Sequence, residues 1–168
     1  MSWPFLLVAP AIGAGFAVAI VPGHFHATKE LLENVGLAVP TFATLVAAGR
    51  YVASREPFFA WAALLAANFA ARELDAPGYT DLVYVVFAAI VALAWWQYDR
   101  LEPYLSTRVV LTGLACTFWT YILTATLDLR WWRFLPYEAI FEERLEETLE
   151  IVGHAQLLLT MLLARRAR

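Results

Sequence analysis

Charge is scarce in this chain. Of its 168 residues only 16% are Asp, Glu, Lys or Arg, while 61% are hydrophobic; a soluble domain carries roughly a quarter charged and about half apolar. That shortage, with a mean hydropathy of +0.61, excludes an ordinary water-soluble globule. The net charge of −3 is too small and of the wrong sign for a nucleic-acid partner. Cysteine is confined to Cys116, so no intramolecular disulfide can form. That thiol sits in an apolar run with nothing nearby to activate it, and it is expected to pack. The apolar run from Trp3 to Val21 lacks the basic n-region of a signal peptide and reads as a retained first helix. Missing too are HExxH, GxSxG, Walker A and GxGxxG, so the familiar metalloprotease, hydrolase and nucleotide signatures do not apply.

What is present is a series of long apolar runs. A bilayer core of roughly 30 Å needs about 20 mostly apolar residues per helix. Six segments meet that length: about 3–22, 28–49, 57–74, 80–98, 107–128 and 143–164. Pro22-Gly23, Glu56-Pro57, Pro77-Gly78, Glu102-Pro103 and Pro136 fall between them, where helix breakers belong. Pro40 lies inside the second segment and is expected to kink it, which a membrane helix tolerates when its neighbours satisfy the freed carbonyl. The expectation is an all-α polytopic bundle of six transmembrane helices, one domain over residues 1–168, in a bacterial inner membrane.

Charge placement orients it. One side collects Arg50, Arg55, Arg100, Arg108, Arg165, Arg166 and Arg168 against Glu56, Asp99 and Glu102. The other holds Lys29, Arg72, Arg130, Arg133 and Arg144 with the remaining acids. The positive-inside rule puts the arginine-rich side, and both termini, in the cytoplasm. Trp131, Trp132 and Tyr137 would then sit at the outer interface and Trp95, Trp96 and Tyr98 at the inner one, as aromatic belts.

The acids concentrate on the outer side. Glu30-Leu-Leu-Glu33-Asn-Val-Gly36 and Glu147-Thr-Leu-Glu150-Ile-Val-Gly153 repeat one ExxExxG pattern on the second and sixth segments. Spacing of i, i+3 puts both glutamates on one helical face, and His26 and His154 extend those faces by four residues. Glu73 and Asp75 close the third segment, Asp81 opens the fourth and Asp128 closes the fifth. Carboxylates and imidazoles inside a membrane bundle are costly and mark functional sites, and together they suit a hard or borderline divalent ion. The candidate ligands are Glu30, Glu33, Glu73, Asp75, Asp128, Glu147, Glu150, His154 and His26, with Glu33 and Glu150 facing each other across a shared cation. The plainer alternatives stand beside these. Glu142 and Glu146 suit a solvated helix N-terminus. Arg72 with Glu73 or Asp75, and Arg130 with Asp128, suit structural ion pairs. His24 suits an exposed turn, and His154 a buried histidine satisfied by hydrogen bonds. Asn68, Thr124 and Thr126 are the faint polar candidates deeper in the membrane.

At ELLENVG, ARELDAPGYT, ATLDLR and LEETLEIVG the chain resembles a group of small bacterial inner-membrane proteins that share an early E-N pair, a RELD, a late LD and an EExxE opening the last helix. The resemblance implies the topology and the acidic positions, and no reaction. Where that pattern continues past RELD with an aromatic-His step, this chain has Ala76-Pro77, so a histidine ligand there is excluded. Three function classes follow: a metal-dependent membrane enzyme acting on a lipid-like or quinone-like substrate, a cation- or proton-coupled transporter, or a non-catalytic assembly subunit whose acids form buried ion pairs. The expected cofactor is a divalent metal ion. The expected partners are membrane lipid and a second copy or a larger membrane complex.

Overall fold

The computed structural model describes residues 29–74, 80–131 and 138–167, together with Ala11, Gly15 and Arg133. The backbone forms α1 (Lys29–Ser54), α2 (Pro57–Arg72), α3 (Thr80–Trp96), α4 (Tyr98–Leu105), α5 (Arg108–Asp128) and α6 (Glu138–Leu163), with no strand among the described residues. The expected all-α architecture is present, and the second to sixth apolar runs each coincide with a long helix. The first run, 3–22, lies outside the described residues apart from Ala11 and Gly15. Glu30–Ser54 and Arg108–Leu127 are long and apolar enough to cross a membrane, and Leu82–Trp96 with Tyr98–Leu105 adds a third if that pair, bent by 90°, is one span. The 99–108 stretch, expected to be a loop, contains α4 instead. Leu101 and Tyr104 fall on one face and are buried, and this anchoring holds a short amphipathic helix despite Pro103.

Local chemistry fixes the ends. Glu56 is extended (φ −77°, ψ 124°) and Pro57 occupies the first turn of α2, where its missing N–H costs nothing. Arg55 ends α1 in the left-handed region (φ 59°), and its N–H caps the Tyr51 carbonyl at 2.7 Å. Arg130 (φ 54°) does the same for α5. The Trp131 N–H then returns to the Thr126 carbonyl at 3.0 Å, which satisfies carbonyls the helix end would leave orphaned.

The neighbours α1–α2, α1–α6 and α5–α6 pack closely, whereas α3 leans mainly on α2. Ala43 and Ala47 on α1 and Ala62 and Ala66 on α2 are wholly buried, and such small residues let helix backbones approach where apolar burial alone gives no drive in lipid. Thr117, Thr120, Thr124 and Thr160 donate back to the carbonyls of Gly113, Cys116, Thr120 and Gln156, so these hydroxyls enter the bundle already satisfied. Cys116 is buried, as expected. At one end Phe58 stacks on Tyr104 at 4.7 Å, and Arg50 donates to the last carbonyls of α6, at Met161 and Ala164, while its guanidinium lies over the Phe59 ring at 4.1 Å. Outward faces are apolar: Phe42, Leu45, Val52, Val85, Trp95 and Trp96 are all exposed. A buried small-residue interior with an apolar exterior is the pattern of a helix bundle solvated by lipid.

Candidate functional site

The opposite end of the bundle holds the polar groups. Arg72 is the last residue of α2 and Glu73 its C-cap, and on α6 Glu150 and His154 stand four apart on one face. Arg72 Nη1 is paired with Glu150 Oε1, Glu150 being only 8% exposed. Glu73 Oε1 lies 3.1 Å from Nε2 of the fully buried His154, whose Nδ1 is hydrogen-bonded to the Tyr121 hydroxyl from α5. One proton assignment satisfies every atom. Nε2–H donates to the Glu73 carboxylate and Nδ1 accepts from the Tyr121 O–H. Phe69 stacks on the Tyr121 ring at 4.2 Å and fixes its plane.

The two glycines of the repeated ExxExxG pattern make room for this set. A side chain at Gly36 would meet Glu73 Oε2 at 2.9 Å, and one at Gly153 would meet the Tyr121 ring at 3.3 Å. The pattern therefore does position chemistry, through its glycines more than its glutamates.

The expected metal centre is not formed. Among the described residues no three of His, Cys, Asp and Glu come together to hold an ion, and the metal-dependent function resting on that centre is corrected accordingly. The physical reason is visible in the pairing. A guanidinium supplies the counter-charge to Glu150, and both ring nitrogens of His154 already have partners within the protein, so the imidazole is not free to ligate an ion. Glu33 does not meet Glu150 across a shared cation either: Glu30 and Glu33 are exposed, and Glu150 faces Arg72. Of the nine expected ligands, Glu73, Glu150 and His154 are brought together. Glu147 is half-buried on the same helix. His26 and Asp75 lie outside the described residues, as does the side chain of Asp128. Arg72 pairs across the bundle with Glu150, while Asp75, one of the neighbours that suited it as a structural partner, lies outside the described residues.

Beside the cluster, where α2, α3 and α5 diverge, lies a cavity of about 120 Å³. Asn68, Phe69, Arg72, Phe87, Tyr121 and Thr124 are among the residues that line it. The backbones of α3 and α5 do not touch, and the gap is bridged by the Phe87 and Phe118 rings, 5.9 Å apart. Tyr121 and Arg72 thus belong both to the polar cluster and to the cavity wall. Tyr121 escaped the sequence reading because one tyrosine in an apolar helix resembles any belt or core aromatic. Asn68 stood out only as the polar residue of α2 that precedes its terminal Arg72.

Family models, curated proteins and solved structures give no match to this chain. Its chemistry therefore has to be read from its own side chains.

Proposed function

We propose that the chain is a multi-pass integral membrane protein of six spans, with both termini cytoplasmic, whose interior carries an acid–base site in the outer-leaflet half of the bundle. The observation that supports it is the line Glu73–His154–Tyr121 ending at a cavity wall. Titratable groups within a membrane bundle are expensive and mark function. A carboxylate that orients an imidazole, which in turn accepts from a hydroxyl, is the arrangement of a proton relay. The Tyr121 oxygen takes a proton from a molecule in the cavity as its own proton passes to His154 Nδ1, and the imidazolium so formed is held by the Glu73 carboxylate. The reverse sequence returns the proton. Arg72, on the same wall, supplies positive potential toward the oxygen that loses the proton, while Glu150 keeps that guanidinium in place.

The test is nitrogen-15 NMR of the histidine-labelled protein in lipid nanodiscs, with His154→Asn to assign the signal. His154 is expected as the Nε2–H tautomer. Tyr121→Phe should shift the Nδ1 resonance, and Glu73→Gln should shift the Nε2 resonance. A His154 in the Nδ1–H form, insensitive to both substitutions, would refute the relay.

A further inference from the structure

Asn68 is 4% exposed, and neither its amide nitrogen nor its amide oxygen has a hydrogen-bond partner. By contrast, the buried hydroxyls of Thr117, Thr120 and Thr124 on the facing helix α5 return their hydrogens to the backbone. A buried primary amide with donor and acceptor both unmet is costly unless something completes it, and Asn68 lies on the wall of the cavity between α2, α3 and α5.

The occupant can be described from the wall. The cavity lies among apolar helix faces, so its ligand reaches it from the hydrocarbon phase. Phe69, Phe87 and Tyr121 line it, and an aromatic wall favours a planar ring in offset or edge contact. The volume of about 120 Å³ compares with the roughly 150 Å³ apolar cavity that accepts one benzene, so a single six-membered ring fits and a fused pair would protrude. Asn68 and Arg72 offer N–H donors to an oxygen on that ring, and the free amide oxygen of Asn68 accepts a hydroxyl hydrogen.

We infer that this cavity binds a membrane-dissolved molecule with a single phenol- or quinol-type ring, its ring oxygen held by the Asn68 amide. The ligand class deepens the acid–base reading, because a ring hydroxyl is the proton donor that the Tyr121 relay would serve, but the binding site stands on Asn68 and the cavity alone.

The experiment uses the full chain in nanodiscs with 4-pentylphenol as the probe and empty nanodiscs as the partition blank. Saturable binding above the blank is expected, with pentylbenzene, which lacks the oxygen, bound at least about tenfold more weakly, and an alkyl naphthol of equal chain length also weaker. Asn68→Leu should weaken 4-pentylphenol about tenfold or more while raising the ligand-free melting temperature, since it removes an unpaired polar group. No saturable binding, equal binding of pentylbenzene, or an Asn68→Leu protein that melts lower and binds unchanged would each overturn the inference. Tyr121→Phe separates the two readings. Phenol binding that survives in this variant while the His154 Nδ1 resonance shifts supports both. Phenol binding in a protein whose His154 never responds to Tyr121→Phe keeps the cavity and removes the relay.

Discussion

Replacing Arg72 by Met isolates the pairing on which the polar cluster depends. The substitution keeps a long, flexible apolar side chain and removes the guanidinium, which leaves the Glu150 carboxylate buried without its partner. The side chains of the pair are 26% and 10% exposed, so water reaches the arginine partly and the glutamate hardly at all. Breaking a buried pair by removing one partner costs about 3–5 kcal/mol, and the arginine's partial exposure places this one near the lower end, about 3 kcal/mol. At about 2–4 °C per kcal/mol for a chain of this size, the melting temperature should fall by about 6–12 °C. Arg166→Met is the internal control. Its pair with Glu56 is 3.3 Å long with side chains 63% and 27% exposed, a geometry that contributes at most about 1 kcal/mol. The assay is thermal unfolding of both variants in one detergent, followed by intrinsic tryptophan fluorescence. The double replacement Arg72→Met with Glu150→Met should recover most of the loss, because removing both charges leaves nothing stranded. Equal, negligible shifts for Arg72→Met and Arg166→Met would refute the reasoning and make the pair a surface contact.

Three other outcomes are expected. Gly36→Ala places a methyl 2.9 Å from the Glu73 carboxylate; the flexible tip yields, so stability should change by less than about 1 kcal/mol while the His154 nitrogen-15 shifts move, and unchanged shifts would disconnect Gly36 from the relay. Arg50→Met removes the charge-assisted bonds to the end of α6 and should cost about 2–3 kcal/mol, read as a melting shift, with Arg50→Lys recovering only part because an ammonium lacks the planar fork. Reporter fusions at Arg168 and after Pro77 should report opposite sides of the membrane, and an outward-facing Arg168 would reverse the proposed orientation.

The helices were legible because length and apolar composition together fix a membrane helix with few other variables. Pro57 opens α2 in the structure as its position after Glu56 foretold. The α4 helix was less legible: Asp99, Arg100, Glu102 and Pro103 read as a polar loop, and only the burial of Leu101 and Tyr104 by other segments makes the stretch a helix. The candidate site divides in the same way. The sequence marks which polar residues share a helix face, and Glu150 and His154 are both on the working face of α6. It does not mark rotation between helices. On α1 the same ExxExxG spacing turns Gly36 toward the bundle and leaves Glu33 outside, so identical motifs serve opposite purposes. The contribution of Tyr121, and the pairing of Arg72 with Glu150, depend on that rotation and on helix depth, neither of which a one-dimensional pattern carries.

The arrangement of charges also bears on why a relay suits this site better than an inert set of pairs. Of the two carboxylates Glu73 and Glu150, it is Glu150 that is paired with the Arg72 guanidinium. Glu73 faces the imidazole of His154. A purely structural cluster could have met Glu73 with a second fixed cation, or replaced it with an apolar residue at little cost. Instead the chain has glycine at 36 and 153, where the missing side chains accommodate the Glu73 carboxylate and the Tyr121 ring, and His154 Nδ1 meets a phenol. A proton arriving at His154 from Tyr121 therefore converts a neutral contact into an ion pair with Glu73, with no movement of any helix. That gain is available only if a proton moves, and the cavity wall at Tyr121 is where such a proton can enter.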